Sequence, residues 1–335
     1  MLAFNETDPC GNIHTNQDVN SYQSDPNHTY FNIGLVTGFL CVFIVGMCGN
    51  TVVIYLSFNP TLSKAVFTMN TYIFHLALAD ALYVFTSLFF TVTNFNRKGW
   101  IFGHFGCKLI PAIDIVTMHV SVYVLGVLSL ERYLALVNPM VINRYRSWCY
   151  ARVVCVVIWF SGLFLASPFT VMMELRDVAG TDGGESCMWS RGFESHRHYI
   201  TGVFWVVFAI PSFGMILTYF LICIHFVKVG PKHNSSAVAS RSKRGVVSIV
   251  ILIVGVYWLC FTPFWIYQMM LLYDHCSTFD QNNVMGLITL ILSYLNSCIN
   301  PFLYTLLPRK YNVWRKSRRD RRRHDTASIR LRHFD

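Results

Sequence analysis

The stretch Ser129-Leu130-Glu131-Arg132-Tyr133 closes the third long apolar segment of the chain, and Asn300-Pro301-Phe302-Leu303-Tyr304 lies near the end of the last. An ionised Arg and a helix-breaking Pro are both costly in hydrocarbon, so each needs a reason to be there. Outward from these two motifs the chain divides into seven apolar stretches, over 32–57, 67–95, 104–137, 150–172, 199–228, 245–272 and 284–306. Each reaches the roughly 20 residues a helix needs to cross a bilayer. Short polar links join them and leave no room for a second globular domain. The predicted fold is an all-α membrane protein, a seven-transmembrane helix bundle with a short amphipathic helix after the seventh span. An N-terminal tail covers 1–31, the bundle 32–306, and a cytoplasmic helix with a basic tail 307–335.

Composition agrees. Apolar residues make up 54% of the 335-residue chain and charged residues 13%, against about 25% charged in an ordinary soluble domain. Orientation follows from the basic residues. No Lys or Arg precedes Lys64, and the start has no basic region and cleavage site of the leader type. Twenty of the 27 Lys and Arg residues fall on the side shared by the odd loops and the C-terminus, so that side is expected in the cytosol. The N-terminus is then outside, and the protein is expected in the plasma membrane.

Asn5-Glu6-Thr7 and Asn27-His28-Thr29 place two glycosylation sequons, at Asn5 and Asn27, on the outer side. Asn234-Ser235-Ser236 also matches but falls on the cytosolic side, where it is expected to stay unused. The net charge of +10 and the run Arg318–Arg323 invite a nucleic-acid reading. Their place just inside the last span favours anionic lipid headgroups instead, and no nucleic-acid partner is expected.

Eleven Cys is an odd number, so not all can pair within the chain. Cys107, at the outer start of the third span, and Cys187, in the long second outer loop, both face the oxidising side and are expected to pair. Cys10 and Cys276 are the other two outer candidates and could tie the N-terminus to the third outer loop, but two unpaired thiols are the preferred reading. The remaining Cys lie in or beside the membrane, where they pack as small hydrophobes.

Three ionisable residues sit at different depths in the spans. Asp80, mid-span, must be paired, protonated or bound to a cation. Ser121, Asn296, Ser297 and Asn300 lie at comparable depth and could supply oxygen ligands to a sodium ion; the alternative is a protonated Asp80 bonded to Asn300. No other cofactor is expected, and no Cys or His spacing fits a zinc site. Asn50 is expected to tie the first helix to the second and seventh, and Trp159 to act in packing.

Asp114 lies 18 positions before Arg132, which at 1.5 Å per residue puts it roughly 27 Å nearer the outside. An unpaired carboxylate there wants a ligand cation; the alternative is a carboxylate bonded only to Tyr294. Phe261, Phe264, Trp265, Gln268 and Tyr294 are expected around the same cavity, with Met118 one turn below Asp114. Aromatic faces around a cation are a good physical fit. The fifth span offers no hydroxyl over Gly202–Val207 for a catecholamine. The second outer loop carries Glu174, Asp177, Asp182, Glu185 and Glu194, an acidic rim that attracts a basic peptide. The seventh span has no Lys for a retinal Schiff base.

With these residues in place, the chain resembles the rhodopsin-like receptors, and within them the urotensin II receptor family. The resemblance is carried by Asp114-Ile115-Val116-Thr117-Met118-His119 running into Glu131-Arg132-Tyr133, by Trp258-Leu259-Cys260-Phe261-Thr262-Pro263-Phe264-Trp265, and by Asn296 to Leu307. Most rhodopsin-like receptors have Trp where this chain has Phe261; the urotensin receptors share the Phe. It covers about 65–315 and gives no support in the N-terminus, third inner loop or tail.

The resemblance implies a G-protein-coupled receptor for a cyclic, disulfide-closed peptide with a Trp-Lys-Tyr core. Asp114 would hold the Lys, and signalling would run through the Gq class to phospholipase C and calcium, with arrestin a second candidate on the cytosolic face. Glu131, Arg132, Tyr133, Tyr219, Asn300, Pro301 and Tyr304 would carry coupling and activation. Pro211 and Pro263 interrupt the fifth and sixth helices, so the inner end of the sixth could swing outward. Tyr219 and Tyr304 would then bridge to Arg132, whose resting partner is expected to be Glu131.

No Asp or Glu lies between Glu194 and Asp274. The sixth helix therefore supplies no acid to latch Arg132, and measurable basal signalling is expected. The alternative ligands are a somatostatin-like peptide or an amine. A transporter would show inverted repeats or several charges along one path, and an enzyme a nucleophile or metal constellation. Neither pattern is present in the sequence, and no catalytic residue is expected.

Overall fold

The computed structural model of the chain describes residues 26–58, 64–95, 99–138, 140, 142, 147–177, 184–229, 237–273 and 284–306, with side chains over 33–58, 68–93, 99–138, 140, 142, 147, 149–177, 184–225, 251–273 and 284–303. Asn5, Asn27, Asn234, the Cys10–Cys276 pair, Asp182, the side chains of Arg241, Lys243, Arg244 and Tyr304, and the helix and tail expected over 307–335 all lie outside that description.

Seven helices in the described residues are long and apolar enough to cross a membrane. They are α1 (Pro26–Ser57), α2 (Lys64–Phe95), α3 (Gly103–Val137), α4 (Trp148–Met172), α5 (Gly192–Val203, Phe204–Ala209 and Ile210–Val229 in continuous register), α6 (Ala237–Tyr273) and α7 (Val284–Leu306). The spans match the predicted ones, but α1 begins more than a turn earlier, and so do α5 and α6. The opening turns of α5 carry Glu194, Arg197 and His198, and those of α6 carry Arg241, Lys243 and Arg244. Hydropathy cannot see a helix continuing past the bilayer into water, because the residues there are polar.

The most apolar windows of α3 and α7 are 61% buried, against 28% in α1 and α4 and 22% in α5. The central helices are therefore α3 and α7, with α2 between them, and α1, α4 and α5 expose broad apolar faces such as Ile44, Val157 and Phe213 to lipid. Close approach of α1 depends on Gly46: a Cβ there would sit 2.9 Å from both Val84 of α2 and Cys298 of α7. Ser147 starts α4 by accepting a hydrogen bond from the Tyr150 backbone N–H at 3.1 Å.

Between α4 and α5 the chain forms a hairpin of β1 (Met173–Asp177) and β2 (Glu185–Trp189), antiparallel with Leu175 opposite Cys187. The Cys107–Cys187 disulfide, with its Cα atoms 5.5 Å apart, fastens this hairpin to the start of α3. Glu185 also accepts the Trp100 backbone N–H at 2.8 Å. At the same spot Gly99 has φ +71, and a Cβ on it would lie 2.6 Å from the Glu185 carbonyl oxygen, so only glycine fits.

Irregularity in α5 arises upstream of Pro211. Phe204–Ala209 is wound as a π-helix, with the Ile210 N–H donating to the Trp205 carbonyl five residues back. Proline has no N–H to offer the preceding turn. Two carbonyls of that turn are taken by other helices: the Tyr123 hydroxyl of α3 donates to Val206 at 3.2 Å, and the Tyr257 hydroxyl of α6 to Val207 at 3.4 Å. The Pro211 interruption thus becomes a three-helix junction.

Candidate functional site

The polar residues inside the bundle form three groups, one above another along α3. The outer group is built on Asp114. Its Oδ1 accepts a hydrogen bond from Thr86 of α2 at 2.5 Å. Among the described residues no Lys or Arg pairs with it. Tyr83, one turn from Thr86, has its hydroxyl 2.8 Å from Ser293 of α7, and its ring lies 4.4 Å from that of Tyr294. Tyr294 is fully buried beside Asp114 and Thr86, and its hydroxyl, close to the Thr86 side chain, makes no hydrogen bond of standard geometry. The expected alternative of an Asp114–Tyr294 bond is therefore replaced by an Asp114–Thr86 bond.

Seven ring contacts carry the aromatic wall across the bundle. It runs from Phe39 through Tyr294 and Tyr83 to Phe261 at 6.3, 4.4 and 6.4 Å. It continues through Tyr257, Phe208, Trp265 and Phe204 at 5.1, 6.1, 6.3 and 5.6 Å. Phe264 joins at Trp265, 5.5 Å away. The predicted cavity residues therefore divide: Tyr294 and Phe261 stand on the Asp114 side and Trp265 on the α5 side. Met118 is buried in the core, and Gln268 is half-buried.

Tyr83, Thr86 and Ser293 escaped the sequence reading. The signal was present, since Tyr83 and Thr86 follow Asp80 at three-residue steps on one face of α2. Phe204, Phe208 and Tyr257 were missed because aromatic residues in apolar helices give no sign of which neighbour they meet.

At the outer rim, Glu174 is 3.5 Å from Arg176, and Glu194 pairs with Arg197. The acidic rim is thus partly neutralised from within. Arg197 also lies 5.4 Å over the Tyr273 ring, and Thr201 and Tyr273 share a 2.9 Å hydroxyl contact, joining the outer ends of α5 and α6.

The middle group is built on Asp80, which is fully buried. Ser121 and Ser297 donate to its Oδ1 at 3.1 and 2.9 Å, and Asn300 donates to its Oδ2 at 2.8 Å. Asn296, also predicted here, is buried with neither amide atom hydrogen-bonded, and the Asn300 amide oxygen is likewise unpaired. Asn50 donates to the Ser297 carbonyl at 3.0 Å, tying α1 to α7. Pro301 follows Asn300 inside α7. Trp159 does more than pack: its indole N–H donates to His75 of α2 at 3.2 Å.

The inner group surrounds Arg132. Its guanidinium lies against the sulfur of Met69 in α2. Glu131 is buried near Tyr72, and Tyr133 is half-buried. The Tyr219 hydroxyl of α5 is 3.0 Å from Ser129, one turn above Arg132.

Comparison with known proteins agrees with this layout. Residues 49–304 match the model of the 7 transmembrane receptor (rhodopsin family). The chain is 33% identical over 276 residues to the urotensin-2 receptor of Homo sapiens, covering 80% of this chain and 67% of that protein. It is 32% identical to the Bos taurus urotensin-2 receptor over 82% of this chain and 70% of that one. It is also 31% identical to the somatostatin receptor type 1 of Rattus norvegicus over 301 residues, 87% of this chain and 72% of that protein. The match spans both diagnostic motifs and every helix from the end of α1 to the end of α7, and so the chain belongs to the rhodopsin family of seven-transmembrane receptors, as a multi-pass, G-protein-coupled receptor of the plasma membrane and not an enzyme.

Proposed function

We propose that the chain is the receptor for a cation-bearing peptide, a cyclic, Lys-containing hormone of the urotensin II type, whose ammonium pairs with Asp114. The observation that carries this reading is a carboxylate inside the outer bundle whose partner is a neutral hydroxyl, Thr86, beside the rings of Tyr83 and Tyr294. A half-buried charge with no counter-ion among the described residues is held at a cost that a ligand cation relieves. Aromatic faces next to the cation add to the attraction. The partly acidic hairpin above would draw a basic peptide toward the opening. Similarity to proteins named urotensin-2 receptors supports the ligand class.

The N-terminus is outside, with Asn5 and Asn27 glycosylated, and the basic loops meet the G protein. Coupling runs through Gq to phospholipase C and calcium. Asp80 holds a sodium ion. Its carboxylate, the Ser121 and Ser297 hydroxyls and the unpaired amide oxygens of Asn296 and Asn300 form the hard-oxygen set such a cation prefers. Ligand binding at Asp114 would bias α3 against α6, whose inner end moves about Pro263 and admits the G protein beside Arg132.

The test is calcium release in cells expressing the chain and challenged with urotensin II, somatostatin or common amines. A response to urotensin II at low concentration is expected. A response to somatostatin alone would move the ligand to the second group of relatives, which stand almost as near in identity. Silence to every cation would overturn the role of Asp114.

A further inference from the structure

The Asp114–Thr86 contact limits the kind of cation the outer site can take. Thr86 is 1% exposed, so its hydroxyl cannot turn out to water. Its oxygen is 2.5 Å from both Asp114 Oδ1 and the Tyr83 carbonyl one turn back. A hydroxyl has one proton to donate. The Tyr83 carbonyl lies in the middle of α2, where the helical ladder already serves it. The charged acceptor forms the stronger bond, so the proton goes to Asp114. One lone pair of Asp114 Oδ1 is then used, and the buried Thr86 side chain stands 2.5 Å from that oxygen, before any ligand arrives.

Ammonium and guanidinium groups respond differently to that loss. An ammonium is a compact charge with three rotatable donors and can bind through a single oxygen. Its remaining N–H groups can meet the Tyr294 hydroxyl, buried beside Asp114 without a standard hydrogen bond, and the paired Tyr83 and Tyr294 rings. A guanidinium gains most when its planar fork meets both carboxylate oxygens in parallel, and the fixed Thr86 side chain crowds the approach to one of them.

We propose that Thr86 is a specificity-determining residue that makes the Asp114 site select a primary ammonium over a guanidinium. The inference rests on Asp114 being the ligand's counter-charge and goes beyond it by naming the cation and the residue that selects it.

The experiment compares two agonists, urotensin II and its analogue with Arg in place of Lys, by G-protein dissociation measured across all G-protein classes. The chains are the wild type, Thr86→Val, Thr86→Ser and Asp114→Ala at matched surface levels. In the wild type the Lys peptide should be more potent by on the order of tenfold, about one charge-assisted hydrogen bond. Thr86→Val should shrink that gap to about threefold or less, chiefly by improving the Arg peptide. Thr86→Ser, which keeps the hydroxyl, should preserve it.

An equal response of the wild type to both peptides overturns the inference, as does a gap that survives in Thr86→Val. Both leave the Asp114 reading standing if Asp114→Ala loses both peptides. Asp114→Ala with unchanged potency overturns that reading and this one together, as does a wild type silent to every cationic agonist. Where the wild type answers somatostatin and not urotensin II, the same comparison is made with somatostatin and its Lys-to-Arg analogue. Thr86→Ala replaces Thr86→Val if the latter fails to reach the surface.

Discussion

Asp80 and Asp114 are both carboxylates inside apolar helices, yet their surroundings differ in a way that separates their roles. Asp80 accepts three hydrogen bonds, from Ser121, Ser297 and Asn300, and is sealed from solvent. Asp114 accepts one, from Thr86, and stays partly open. The first is enclosed by oxygen and amide groups that suit a small ion; the second keeps part of its surface open to a ligand's cation. If Asp80 holds sodium, Asp80→Asn removes the charge that binds it. Agonist affinity, lowered by sodium in the wild type, should then become independent of sodium between zero and physiological concentration. A sodium effect of undiminished size in Asp80→Asn would place the ion elsewhere. The sequence located both acids and the oxygen set around Asp80, because a charge in an apolar stretch is conspicuous. It could not identify Thr86 as the partner of Asp114, since a threonine in a helix ordinarily bonds back to its own preceding turn.

At the scale of elements, the junction of α3, α5 and α6 has a stated chemistry. The carbonyls of Val206 and Val207, released by the π-helical turn before Pro211, are held by Tyr123 and Tyr257. Tyr257→Phe keeps the ring in its stack with Phe261 and removes the hydroxyl. We expect a loss of about 1 kcal/mol or less of stability, the worth of one neutral hydrogen bond. Because that bond ties α6 to α5, ligand-free signalling should rise. Thermal denaturation and basal G-protein output measure the two effects, and unchanged basal output would show that the tie does not restrain α6. Pro211 was legible as an interruption of α5. The π-turn ahead of it and the two tyrosines were not, because they depend on which side chains from other helices reach the freed carbonyls. The seven spans were legible for the opposite reason: a bilayer imposes length and apolarity on each helix separately. The true starts of α5 and α6 were hidden in polar residues that continue the helix beyond the membrane.

The whole molecule is a bundle with an outer and an inner polar group set one above the other along α3. The outer end is capped by a hairpin fastened through Cys107–Cys187, a pairing the sequence anticipated from two thiols on the oxidising side. The inner end carries Arg132, and no acid lies in the chain between Glu194 and Asp274 to latch it to α6. Ligand-free reporter output above that of mock-transfected cells is therefore expected, and none at matched surface expression would contradict it. The proposed starting contact of the signal is the pair formed by the ligand's cation and the Asp114 carboxylate. Binding of the activating peptide to wild type and to Asp114→Asn, at equal surface levels, tests it most directly. Affinity should fall by on the order of 30-fold or more, the cost of leaving one partner of a half-buried charge pair alone. Equal affinity in the two would contradict the account.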